Sequence, residues 1–126
     1  MSEGSMTMPI LVVDDESDMA TSYARLLRRH GYRVVCVGSR AAGLRAMESQ
    51  AFRLVIADLR LPDGDGLDVV RAAQTMAGPP PVIVATVLGS RETRKAAMAA
   101  GAAGFIAKPF STEAFSTLVS EVLGAA

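Results

Sequence analysis

The chain has 126 residues, 50% of them hydrophobic and 21% charged, with 13 basic and 13 acidic side chains. That is sequence for one globular domain around one core, which excludes a two-domain chain and a disordered one. The balanced charge excludes the strongly basic surface of a domain that binds nucleic acid on its own.

The opening MSEGSMTM, residues 1–8, is small and polar and reads as a frayed or vector-derived terminus without the basic start and apolar middle of a signal peptide. The first apolar run, Ile10 to Val13, ends in three acids, Asp14, Asp15 and Glu16. Met19, Tyr23, Leu26, Leu27 and His30 then recur at spacings of three and four, which predicts a helix closed by Gly31. The second run, Val34 to Val37, carries the single cysteine, Cys36, expected to be buried in its strand. With one cysteine and one histidine, a His/Cys zinc site is excluded. A helix is predicted over Arg40 to Ser49, a third strand over Leu54 to Ala57 and a helix over Gly66 to Ala77. The fourth run, Val82 to Ala85, precedes a predicted helix from Arg91 to Ala100. The fifth, Gly104 to Ala107, leads into Phe115, Leu118, Val119 and Val122 at helical spacing, with Ser111 or Thr112 as N-cap. The longest strongly apolar run, Val82 to Leu88, is far short of a membrane span, so no membrane partner and a cytoplasmic location are expected.

Five strand-then-helix units with near-continuous apolar strands predict an α/β fold, a parallel sheet covered on both faces and joined by right-handed crossovers. No linker or repeat interrupts the alternation, and residues 9–126 read as one domain. In such sheets the site lies beyond the carboxyl ends of the strands. The first run ends in Asp14 and Asp15, the third in Asp58, the fourth in Thr86, and the fifth in Lys108 followed by Pro109. The second ends in Gly38-Ser39, with nothing ionisable. If the first and third strands are neighbours, the three aspartates share one crevice, and the fold is a flavodoxin-like (βα)5 three-layer sandwich with strand order 2-1-3-4-5.

Clustered carboxylates repel one another unless a cation screens them, and a hard divalent ion such as Mg²⁺ suits oxygen ligands of this kind. Asp14 to Ser17 also read as the acidic start of the first helix, and the two roles are compatible. Glu16 is assigned to the helix start alone. Lys108 is one of two lysines in a chain that otherwise uses arginine; it reads either as a point-charge contact to phosphate or carboxylate, or as a solvated loop residue. Thr86 either faces the crevice or satisfies a backbone group at its strand's end.

Taken in order, the acid pair Asp14-Asp15, the stretch DLRLPDGDG with Asp58, Pro62 and Asp65-Gly66, then Thr86, and GFIAKPF with Phe105, Lys108 and Pro109 resemble the receiver domain of two-component response regulators, of the CheY-like superfamily. The resemblance implies that Asp58 accepts a phosphoryl group from a sensor histidine kinase or phosphotransfer protein. It implies Mg²⁺ held by Asp14, Asp15, Asp58 and the backbone carbonyl of Arg60, with Lys108 and Thr86 on the phosphoryl oxygens. It further implies a cis bond before Pro109 and a switch in which Thr86 moves and Phe105 rotates inward. The readout surface is then the fourth helix, fifth strand and fifth helix, which serves a downstream effector, a fused output domain or a homodimer. By the same resemblance the domain phosphorylates itself and loses the group slowly, without turning over a separate substrate. It is a stand-alone receiver or a fragment of a larger regulator.

Val87 departs from the small residue that usually follows the threonine, and a branched side chain there is expected to slow phosphoryl loss. Arg91, Arg94 and Lys95 form a basic patch that reads as a solvated face or as a contact for an acidic partner. Two other functions compete. A pseudo-receiver would bind partners without phosphorylation. A haloacid-dehalogenase-like phosphatase needs a D-x-D nucleophile motif after its first strand, and DDES lacks the second aspartate at that spacing.

Overall fold

The computed structural model describes residues 8–124. The expected frayed segment, residues 1–8, lies outside them apart from Met8. Within them the chain alternates β1 (Ile10–Val13), α1 (Ser17–Arg29), β2 (Val34–Val37), α2 (Arg40–Ser49), β3 (Leu54–Ala57), α3 (Leu67–Gln74), β4 (Val82–Thr86), α4 (Arg91–Ala99), β5 (Gly104–Ala107) and α5 (Thr112–Gly124). The five strands form one parallel sheet in the order β2-β1-β3-β4-β5, the flavodoxin-like arrangement that the strand ends predict. Between β3 and α3 a short antiparallel hairpin pairs Arg60–Leu61 with Gly64–Asp65.

Why the strands are apolar almost throughout follows from the layers. Alternate residues of a strand face opposite sides of the sheet. Leu11, Val13, Val55, Ala57, Val82 and Val84 pack with Met47 of α2, with Val69, Val70 and Ala73 of α3, and with Ala97 of α4. Ile10, Val12, Leu54, Ile56, Ile83 and Ala85 face the other way, against Ala20, Tyr23 and Leu27 of α1 and Phe115, Val119 and Val122 of α5. Both faces are therefore core, and each fully buried Val, Ile or Leu contributes about 1.5–3 kcal/mol.

The helix ends follow local chemistry. Ser39, Ser90 and Ser111 accept backbone N–H bonds from Ala42, Thr93 and Ala114, which caps α2, α4 and α5. Of the two N-cap candidates for α5, Ser111 is the one used. Helix α1 closes with Gly31 at φ 90°, where Gly31 N–H bonds Arg28 O and Tyr32 N–H bonds Leu27 O. That pair of bonds is the Schellman motif, and glycine supplies the left-handed residue it needs. His30 sits outside the buried stripe as the exposed C-cap. Helix α3 is shorter than the predicted 66–77; it stops at Gln74, ahead of Gly78, which turns at φ 65°.

The expected burial of Cys36 is overturned. The residue is in β2, but β2 is an edge strand bonded only to β1, and Cys36 is exposed there, its sulfur 3.9 Å from Ala20 O of α1. An apolar run predicts a strand; it does not say whether that strand has neighbours on both edges.

Candidate functional site

The carboxyl ends of β1, β3 and β5 bring Asp14, Asp58 and Lys108 together. Residue registers align Val13 with Ala57, so the next residues, Asp14 and Asp58, leave adjacent strands side by side. Lys108 follows β5, two strands from β3, and its backbone N–H bonds Thr86 O at 2.8 Å. The peptide bond between Lys108 and Pro109 is cis. From there the ammonium reaches Asp14 Oδ2 at 2.7 Å, Asp58 Oδ2 at 3.0 Å and Glu16 Oε1 at 3.0 Å. The ammonium has three N–H groups, and each has a carboxylate. Asp14, Asp58 and Lys108 are buried, whereas Glu16 is exposed.

The second oxygens of both aspartates are used as well. Asp14 Oδ1 accepts the Glu16 N–H at 2.9 Å, and Asp58 Oδ1 accepts the Arg60 N–H at 3.1 Å. Burial pushes the Asp14 carboxyl above its ordinary value, and this outweighs the bonds from Lys108 and Glu16 N–H. Burial alone would lower the Lys108 value, but the hydrogen bonds to Asp14, Asp58 and Glu16 outweigh it and hold the ammonium well above the ordinary lysine range. Lys108 is therefore a fixed charge at neutral pH.

Thr86 is wholly buried at the end of β4, and its hydroxyl accepts the Leu88 N–H at 3.2 Å. Phe105, in β5, is turned into the core, with the Arg94 guanidinium of α4 5.8 Å from its ring centroid. Val87 is 54% exposed beside Thr86. Arg91, Arg94 and Lys95 are exposed on α4. Arg60 lies at the hairpin, exposed.

Asp15 is exposed. Among the described residues the carboxylates whose oxygens lie within 4.8 Å of one another are Asp14, Glu16 and Asp58. Three close carboxylate oxygens fit a hard divalent cation, and the Lys108 ammonium already balances this cluster. Glu16 is thus part of the site, contrary to its assignment to the helix start alone. As the N-cap of α1, Glu16 makes no side-chain cap bond, so its carboxylate is left for Lys108, which the sequence does not reveal.

Two further residues escaped the sequence reading. Asp63, in the hairpin after Asp58, accepts the N–H groups of Arg40 at 2.7 Å and Ala41 at 2.9 Å, so a carboxylate from one loop satisfies the open first turn of α2. Arg40 returns the contact through Asp68 at 2.7 Å. Bonds from Ala41 and Arg40 hold the Asp63 carboxyl below its ordinary value. A lowered acid contributes stability above the ordinary carboxylate range and loses it as pH falls through the lowered value. Asp63→Ala is therefore expected to lower the melting temperature at neutral pH, with the difference from wild type closing in acid; a gap that does not narrow counts against this bond pair. Tyr23 is the other, buried beneath the site, and its burial pushes the phenol up to about 12.

A doubly covered parallel sheet with two buried aspartates and a buried lysine at the carboxyl ends of its strands forms a charged crevice where α/β domains of this kind bind their ligands. Comparison makes this specific. The response regulator receiver domain family matches residues 10–120, and the chain belongs to that family of two-component systems. The transcriptional regulatory protein PrrA of Mycobacterium tuberculosis is 34% identical over 110 residues, covering 87% of this chain and 47% of PrrA. The chain thus spans about half the length of that relative. The CheY-like receiver domain protein from Methanospirillum hungatei superposes with a TM-score of 0.88 at 28% identity, covering 94% of each chain. The receiver domain of sensor histidine kinase PA1611 from Pseudomonas aeruginosa, which has a magnesium ion coordinated in its active site cleft, superposes with a TM-score of 0.83 at 28% identity. It matches over 93% of this chain and 98% of its own. No helix of the described residues is long and apolar enough to cross a membrane.

Proposed function

We propose that this receiver takes a phosphoryl group onto Asp58 from a phosphohistidine of a sensor histidine kinase or phosphotransfer protein, and that the modified state alters a partner-binding surface. The observation that carries the reading is the Asp58 carboxylate itself: it stands at the end of the central strand, buried, with one oxygen 3.0 Å from the Lys108 ammonium. In the transfer, an Asp58 oxygen forms a bond to phosphorus as the phosphorus–nitrogen bond of the donor imidazole breaks, and the imidazole leaves with the electron pair. Lys108 offers fixed positive charge to the phosphoryl oxygens, and Thr86 a hydroxyl at the neighbouring strand end. Asp14, Asp58 and Glu16 or Asp15, with the Arg60 carbonyl, would hold a Mg²⁺ ion, which would supply charge neutralisation for the transferring group. The chain would act on itself and release the group slowly, without turnover on a separate substrate.

The likeness to a transcriptional regulator supports a downstream effector or fused output domain as the recipient of the signal, in the cytoplasm. The basic patch Arg91, Arg94 and Lys95, with Phe105 buried beneath Arg94, marks the surface through which such a partner, or a second receiver, would be engaged.

Incubation with a small phosphodonor and Mg²⁺ tests the reading. One phosphoryl mass is expected on the wild type and none on Asp58→Asn; a wild type that gains nothing instead supports a phosphorylation-independent pseudo-receiver. Val87→Ala is expected to lose the group a few-fold faster, because it opens the mouth of the site to water. Equal or slower loss in that variant removes the role given to Val87.

A further inference from the structure

Tyr23 is 3% exposed, in a stack with Phe110 at 5.5 Å and Phe115 at 5.1 Å between ring centroids. Its hydroxyl is buried and makes no hydrogen bond of full geometry among the described residues. A buried tyrosine ordinarily finds one, and phenylalanine would fill the same stack without leaving a polar atom unmatched. The oxygen therefore requires an account.

Its surroundings supply one. The Lys108 Nζ lies 6.0 Å from the centre of the Tyr23 ring, and the charges of Lys108, Asp14 and Asp58 all act on the phenol. In the unmodified site the three N–H groups of that ammonium are committed to Asp14, Asp58 and Glu16. The phenol oxygen receives from Lys108 only a weak contact, short of a full hydrogen bond.

We propose that Tyr23 is a positioning residue for Lys108, its hydroxyl oxygen accepting an N–H of the ammonium as the phosphoryl group transfers to Asp58. The inference rests on the phosphoacceptor reading above. Phosphorylation turns one Asp58 oxygen into the bridging oxygen of an acyl phosphate and removes the charge of the carboxylate. The Lys108 N–H that served Asp58 turns to a phosphoryl oxygen. The bond to Glu16, whose side chain is 54% exposed, competes with water and is the weakest of the three. Rotation of the ammonium toward the phosphoryl group breaks it, and Tyr23 is the uncommitted acceptor on the buried side. With that bond made, the ammonium cannot spin, and its other N–H groups stay aimed at the site. Phe110, two residues beyond Lys108, packs on the Tyr23 ring, so the segment that carries the lysine also fixes the phenol.

Tyr23→Phe keeps the stack and deletes only the oxygen. Three quantities are compared with wild type: the maximal rate and half-saturating concentration for phosphorylation by phosphoramidate with Mg²⁺, the melting temperature, and the Tyr23 ¹³Cζ resonance before and after phosphorylation. The maximal rate is expected to fall about 2- to 10-fold, the factor that one hydrogen bond is worth. The half-saturating concentration and melting temperature should not fall, and the wild-type resonance should move on phosphorylation. An unchanged maximal rate, a static resonance, or a rate loss matched by a loss of melting temperature overturns the positioning role. A wild type that gains no phosphoryl mass overturns the underlying reading and this inference with it; phosphorylation of the wild type with no effect of Tyr23→Phe overturns the inference alone.

Discussion

Gly66→Ala is expected to be the most damaging single-methyl change in the chain. A Cβ built on Gly66 would lie 2.0 Å from Asp58 O and 2.8 Å from Leu59 Cα, closer than the 3.0 Å that real Cβ contacts respect. Both neighbours are backbone, and both belong to the turn that presents Asp58. Gly66 N–H also bonds Leu59 O at 2.8 Å, so the two segments are tied at the contact. Its φ of −64° is ordinary, which means that the requirement is for space and not for an unusual backbone angle. Overpacking of this kind costs about 3 kcal/mol or more. In a domain of this size that lowers the melting temperature by about 10 °C or more. Phosphorylation should fall with it, because any relief has to displace the Asp58 carbonyl. Thermal melting next to Gly124→Ala, where nothing lies within 4 Å, is the check. A Gly66→Ala protein that melts like wild type would refute the contact.

Lys108→Met is expected to lose both stability and chemistry. The methionine fills similar volume but leaves Asp14 and Asp58, with side chains 2% and 6% exposed, as buried carboxylates without their cation. Removing one partner of a buried ion pair costs about 3–5 kcal/mol. Loss of a fixed charge at the reacting group lowers the phosphorylation rate by about 100-fold or more. The pH dependence has a definite sign. Without Lys108, nothing offsets the burial that already raises Asp14, so the folded variant binds a proton more readily than the unfolded one, and its stability recovers as pH falls. In the wild type Lys108 is itself raised, so its contribution is full below the ordinary lysine value of about 10.4 and is lost as pH rises through the higher folded value. Denaturant titrations at pH 5 and pH 8 should show the smaller gap between the two proteins at pH 5. A gap that is independent of pH would mean that the carboxylates are not what Lys108 stabilises.

The strands were legible because five apolar runs are a short-range pattern; their order was legible only through the strand ends, where Asp14 and Asp58 share a crevice if the first and third strands are neighbours. The residues gathered by topology were legible too, since Asp14, Asp58 and Lys108 each mark the end of a strand. What escaped depends on side-chain direction. Asp14 and Asp15 are neighbours in sequence, yet the backbone turns one into the crevice and the other to solvent, and Glu16 comes back to Lys108 from the helix N-cap. Periodicity places Tyr23 on the inner face of α1 with Leu27, but it cannot say that the hydroxyl ends beside a lysine far along the chain. Asp63 drew no reading from the sequence because its partners, the first amides of α2, precede it by a whole helix and strand. Cys36 failed for a related reason, since edge and centre strands share one composition.

That exposed cysteine has a practical side. Cys36 is the only thiol in the chain and lines a shallow surface groove with Asp15, Thr21 and Gly38, at the rim of the acidic cluster. A maleimide dye or spin label would attach at one defined position without mutagenesis. The protein therefore brings its own anchor point for following site occupancy by fluorescence or electron paramagnetic resonance.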